Sequence, residues 1–199
     1  MGCYNLEDMR LNELVSLFGF IFSGSVFAQI PTPSSGRIIR HENFPSAYVA
    51  ARTIDVWLPE GYSDKKKYAV LYMQDGQMLF DSTITWNKQE WGVDETLTEL
   101  VEAKKIQECI VVGIWNGGRS RHAEYFPQKP FESLSKQEQE IVYNAYRSGG
   151  QSIFFGLPIS SDRYLSFLVK ELKPFIDSAY RSEEHTSELQ SPYVISYAV

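Results

Sequence analysis

A hydroxyl attacks a carbonyl carbon only when a neighbouring base takes its proton, so the first residues to weigh are serines within reach of a histidine. The chain carries three histidines, His41, His122 and His185; His185 lies in the C-terminal tail set aside below, and of the other two His122 has the nearer serine, in Gly118-Arg-Ser-Arg-His122. Ser120 and His122 stand too near one another along the chain to act as nucleophile and base drawn from separate loops. Cys109 lies inside an apolar run, where a buried, inert thiol is expected. There is no His-x-x-x-His, no cluster of cysteines and no organic-cofactor fingerprint, so neither a metal nor a cofactor is expected. Two glycine-bearing segments remain as candidates: Gln74-Asp75-Gly76-Gln77-Met78-Leu79-Phe80-Asp81, and the stretch from Asn116 to Pro130 with Gly117, Gly118, Arg119, Arg121 and His122.

The elements that must position these segments alternate strand and helix. Ile54, Val56 and Leu58 alternate with Thr53, Asp55 and Trp57, which predicts a strand packed on one face. Tyr68 to Met73 and Cys109 to Trp115 are short apolar runs that suit strands buried on both faces. Between them Val93, Leu97, Leu100 and Val101 recur at helical spacing, so the three make a βαβ unit with parallel strands and an α/β fold. Asn116 to Pro130 reads as a long loop. Ser135 with Glu138 has capping-box spacing, and Ser161 or Asp162 is placed to cap a helix with Leu165, Leu168, Val169, Leu172 and Ile176 inward, kinked at Pro174. His41 falls in an N-terminal strand. In open parallel sheets the chemistry sits beyond the carboxyl ends of the strands, which directs attention to the segments after Met73 and after Trp115.

Both ends of the chain read differently from the middle. Met9-Arg10 followed by the apolar run Leu14 to Phe22 and the small residues up to Ala28 has the pattern of a secretory signal cleaved after Ala28. The run is too short to cross a bilayer core of about 30 Å, so residues 1–28 are expected to be a signal peptide, the mature protein exported to the periplasm or beyond, and no stable membrane span left. Arg181 to Ser191 matches, residue for residue, the translation of a short-read sequencing adapter, and Ile195 to Val199 continues it in frame after a variable index. Residues 181–199 are therefore expected to be artefactual, leaving residues 29–180 as one domain. The whole chain has a net charge of −6; residues 29–180 carry 17 basic and 19 acidic side chains. So even a balance offers no footprint for nucleic acid.

Four segments in order, Arg52-Thr-Ile-Asp-Val-Trp-Leu-Pro-Glu-Gly-Tyr62, Tyr72-Met-Gln-Asp-Gly-Gln-Met-Leu-Phe80, Val111-Val-Gly-Ile-Trp-Asn116 and Arg121-His-Ala-Glu-Tyr-Phe-Pro127, resemble the esterase family of the α/β-hydrolases related to esterase D, the enterochelin esterases and the feruloyl esterases. The resemblance runs from about Thr53 to Tyr180. It implies the N-terminal part of an α/β-hydrolase fold, a mostly parallel sheet flanked by helices, incomplete here. It also implies a serine on a Gly-x-Ser-x-Gly elbow, followed by an acid and a histidine. The sequence contains no such elbow; Ser120 is the nearest imitation, with His122 in place of the last glycine, so all three catalytic residues are expected beyond Tyr180. The resemblance further implies that the segment after Met73 supplies one oxyanion N–H, with Gly76 turning the backbone and Gln77 or Met78 donating. Gln74 stands where the family often has histidine. Arg121, His122, Glu124 and Tyr125 either line an acyl or sugar pocket or form a solvated loop anchored by Tyr125 and Phe126; Trp86 and Trp91 either wall a cleft or cap the core. The implied activity of the intact parent is carboxylic ester hydrolysis of a small-molecule or glycan-linked ester, this fragment being inactive, with a non-catalytic binding module or an acyltransferase as alternatives. The oligomeric state is unreadable. A sheet stopping at Tyr180 is expected to leave Tyr68 to Met73 or Cys109 to Trp115 as an uncovered edge.

Overall fold

The computed structural model describes residues 29–146, 150–180 and 182–189. The expected signal peptide, and the tail apart from 182–189, lie outside the described residues. In chain order the elements are β1 (Arg37–Phe44), β2 (Arg52–Leu58), β3 (Tyr68–Gln74), α1 (Val93–Glu102), β4 (Cys109–Ile114), α2 (Arg121–Tyr125), α3 (Gln128–Glu132), α4 (Lys136–Tyr143), α5 (Ser161–Phe167), α6 (Lys173–Tyr180) and β5 (Ser182–Leu189). They build a sheet in the order β1-β2-β4-β3-β5. The βαβ unit forms as expected, with β3 and β4 parallel from Ala69 opposite Cys109 to Gln74 opposite Ile114. The sheet as a whole is mixed, because β1 pairs antiparallel with β2 and β2 antiparallel with β4.

The sheet is covered on both faces. On one, Ile54, Val56, Val70, Ile110 and Val112 pack against Tyr164, Phe167, Leu172 and Ile176 of the last helical segment. On the other, Trp57 and Val111 meet Leu79, Phe80 and Val93, with Leu97 of α1 alongside. β2 is thus buried on both faces, not one. Asp55 looked like a solvent position, but β1 places Arg40 directly opposite it, and Arg40 Nε and Nη2 each donate to the carboxylate at 2.8 Å. A carboxylate can be buried when its charge and lone pairs are met.

The last helical segment departs from a regular helix where proline required it. A π turn, Leu168–Leu172, joins α5 to α6, and Pro174 falls at the second residue of α6. The ring lacks the N–H that would bond back to residue 170, and a widened turn accommodates that loss. Leu168, Leu172 and Ile176 face the core as expected, whereas Leu165 and Val169 are exposed, since Tyr164 and Phe167 take the inward positions. Neither Ser161 nor Asp162 caps α5. The residue before the helix is Ser160 without a side-chain bond, and Ser161 Oγ instead accepts from Gln128 N–H at 3.1 Å, tying α5 to α3. The capping box of α4 is present, with Ser135 Oγ accepting from Glu138 N–H at 3.3 Å and Glu138 Oε2 from Ser135 N–H at 2.8 Å. The stretch expected as a loop from Asn116 to Pro130 folds into a 3-10 turn, α2 and most of α3.

Neither strand expected as a free edge is one. β4 lies between β2 and β3, and the outer side of β3 is taken by β5, paired parallel from Tyr68 opposite Ser182, with a register shift before Val70 meets Ser187. The sequence of β5, Ser-Glu-Glu-His-Thr-Ser-Glu-Leu, has none of the apolar continuity of β3 and β4.

Candidate functional site

The parallel pairing of β3 and β4 brings their carboxyl ends side by side, and the candidate residues collect there. After Gln74 the chain reverses at Asp75, which adopts the left-handed region (φ 54°, ψ 44°), and enters a 3-10 turn, Gly76–Met78. Asparagine and aspartate tolerate that region better than other side chains. Gly76 was expected to make the sharp turn; Asp75 makes it, and Gly76 serves close approach. A Cβ at Gly76 would stand 2.5 Å from the carbonyl carbon of Gly113, so only glycine lets the turn seat against β4.

The turn is held from the side by one carboxylate. Arg121 Nε donates to Asp75 Oδ1 at 2.8 Å and Nη2 to Oδ2 at 2.7 Å, while Asn116 Nδ2 donates to Oδ1 at 2.6 Å. Asn116 N–H also donates to Gln77 Oε1 at 3.3 Å. Behind the pair, the Arg121 guanidinium lies 5.2 Å from the centroid of the Tyr125 ring. Asp75 holds Arg121 above its ordinary pKa, and burial pushes the Tyr125 phenol well up, so both keep their protons at neutral pH. Gln74, at the end of β3, accepts a hydrogen bond from the buried Tyr164 hydroxyl.

The two candidate backbone donors differ. Met78 N–H donates to Asp75 O at 2.8 Å and closes the 3-10 turn. Gln77, one residue earlier, has no intrahelical acceptor for its N–H, as is general in the first turn of a helix. Gln77 also lines a cavity of about 470 Å³ together with Thr83, Thr85, Trp86 and Trp115. Trp86, 86% exposed, thus walls this cleft; Trp91 is outside its lining and donates its backbone N–H to Met78 O at 2.9 Å. Trp115 is oriented by Asp55, whose Oδ2 accepts from the indole Nε1 at 2.8 Å, with Arg40 4.8 Å over the ring.

The structure does not give Ser120 the surroundings of a nucleophile. Its hydroxyl lies 3.0 Å from Glu124 Oε1 and 3.3 Å from Gly117 O, and Glu124 is itself bound by Arg52 in a fork at 2.8 and 3.0 Å, buried at both ends. Glu124 and Tyr125 border a second cavity, of about 220 Å³, with Gln128 and Tyr164; Arg121 is turned to Asp75, and His122 lies in the first turn of α2, partly buried. His41 is remote from all of these, on β1, where Nε2 is 2.6 Å from the Tyr180 hydroxyl and the ring meets Phe175 edge-on. The roles of Asp75 and Asn116 were missed in the sequence. Asp75 and Arg121 are 46 residues apart, and no local spacing signals their pairing.

Residues 47–153 match the family described as "Putative esterase". Among solved structures, an IroE-like serine hydrolase from Shewanella oneidensis is similar at 24% identity and TM-score 0.50, over 73% of this chain and 40% of that one. BES protein from Bacillus cereus is similar at 16% identity and TM-score 0.48, over 82% of this chain and 53% of its own. A ferulic acid esterase from Anaeromyces mucronatus, solved with ferulic acid, is similar at 16% identity and TM-score 0.45, over 78% of this chain and 47% of its own. The chain thus spans about half, or less, of the length of these structures. No curated protein matches it. With over half its residues inside the family match and an α/β sheet shared with the Shewanella hydrolase, the chain belongs to this esterase family and has the α/β-hydrolase type of fold.

Proposed function

We propose that this chain is the oxyanion-side part of an exported, serine-dependent carboxylic ester hydrolase whose nucleophile, acid and histidine follow Tyr180 in the intact parent. The observation that carries the reading is the fixed turn at Asp75 to Met78, which leaves Gln77 N–H uncommitted within the turn, beside a cleft at the ends of β3 and β4. When a serine adds to an ester carbonyl, the oxygen gains a full negative charge, and a fixed N–H stabilises that charge without reorganising. A backbone donor serves whatever side chain stands at Gln74, so the departure from histidine there leaves the chemistry intact. The substrate is a small-molecule or glycan-linked ester that enters along Trp86 and Trp115. Residues 29–180 alone have no nucleophile for the donor to serve, and they do not turn over ester.

The test replaces the N–H itself. Gln77→Pro, in the protein translated from the genomic reading frame, removes the donor within the first turn. Gln77→Ala, which keeps the N–H but loses the side-chain oxygen that accepts from Asn116 N–H, is its control. In Gln77→Pro we expect kcat for p-nitrophenyl acetate to fall roughly 10²- to 10³-fold with the melting temperature nearly unchanged. Full activity in a folded Gln77→Pro variant would place the oxyanion donor elsewhere.

A further inference from the structure

We infer that Arg121 is a positioning residue for the oxyanion-side turn, a role that rests on the reading of Gln77 as donor. The backbone at Asp75 lies in the left-handed region, a conformation that persists where its surroundings impose it. Here the restraint comes from another strand's loop. The Asp75 carboxylate is buried and receives two N–H groups from one edge of the Arg121 guanidinium and a third from Asn116, all from residues that follow β4. A planar fork fixes both oxygens of a carboxylate at once, in direction as well as distance. Arg121 is in turn held against the Tyr125 ring within α2. Below, Gly76 rests on Gly113 with no room for even a methyl group. The turn is therefore pinned from two sides, and the direction of Gln77 N–H is set by Arg121. The Nε and Nη2 edge that would grip a substrate carboxylate is committed to Asp75, so Arg121 acts on the reaction through the turn rather than by touching substrate.

The protein translated from the genomic reading frame is compared with its Arg121→Ala, Arg121→Lys and Asn116→Ala variants by two readouts. Amide hydrogen exchange at Met78, whose N–H closes the turn on Asp75 O, should quicken at least about tenfold in Arg121→Ala, with the amides of Val112 and Leu97 unchanged. On p-nitrophenyl acetate, kcat should fall roughly tenfold to a hundredfold with KM within about twofold, the cost of a small misplacement of a catalytic group. Arg121→Lys should recover only part of the loss because a point charge cannot form the fork, and added methylguanidinium should raise kcat of the alanine variant but not of the lysine variant. Asn116→Ala should show the same pattern in smaller degree, and it carries the test with Arg121→Lys where the alanine variant does not fold. Unchanged exchange at the turn would overturn the inference, as would a raised KM with intact kcat, the sign of direct substrate contact. Absence of serine-inhibitor-sensitive turnover in the unmodified protein would sink the hydrolase reading instead, and the exchange readout then decides on the clamp alone.

Discussion

Ser120 and Glu124 separate structural from catalytic roles at the scale of single residues. Ser120 contributes a hydrogen bond to a carboxylate already engaged by Arg52, whereas Glu124 is the sole carboxylate in that fork, with both side chains almost fully buried. Ser120→Ala should therefore cost only about 0.5–1.5 kcal/mol of stability and leave ester turnover of the full-length protein unchanged. Glu124→Ala strands a buried guanidinium and should cost about 3–5 kcal/mol, read as a shift of the urea midpoint. Turnover lost in a folded Ser120→Ala protein would identify Ser120 as the nucleophile. At this scale Gly76, Gln77 and Arg121 mark how far the sequence alone reaches. Gly76 and Gln77 were legible as a turn at the end of a strand, because chemistry in such sheets gathers there. The clamp from Arg121 was not, since it exists only once two loops 46 residues apart are brought together.

Elements were legible in proportion to how local their cause is. β3, β4 and α1 follow from apolar runs and helical spacing, and the capping box of α4 from two residues three apart. β2 escaped correct reading because the partner that lets Asp55 be buried, Arg40, sits on β1, and a strand's neighbour is not written in its own alternation. The seam between β1 and α6 makes a prediction at this scale. Burial of His41 against Phe175 and Tyr180 lowers its pKa, with Asp55 acting in the opposite direction. A depressed folded-state pKa means that the unfolded chain binds the proton first. Stability from this site is therefore complete above the unfolded value of about 6.5 and is lost as pH falls through the lower folded value. The urea midpoint should drop between pH 7.5 and 5.5, and His41→Gln should flatten that part of the profile. An equal slope in both proteins would show that His41 does not carry it.

At the scale of the whole molecule, residues 47–153 match the family, the similarity to the Shewanella hydrolase spans 40% of that chain, and the final strand differs in composition from its neighbours. We read residues 1–28 as a removable export signal and 181–199 as foreign to the natural frame. N-terminal sequencing of the exported protein should accordingly begin at Gln29. Sequencing of the locus from genomic DNA should depart from this chain within a residue or two of Tyr180; recovery of Ser182 to Val199 there would refute that part. The central claim is that a serine beyond Tyr180 does the chemistry which the turn at Gln77 supports. The most direct measurement labels the protein translated from the genomic frame with a fluorophosphonate, maps the modified residue by peptide mass spectrometry, and follows p-nitrophenyl acetate hydrolysis in parallel. We predict one labelled serine, C-terminal to Tyr180, with turnover abolished on labelling and neither label nor turnover in residues 29–180 alone. Labelling at Ser120, or inhibitor-sensitive turnover by residues 29–180, would contradict the account.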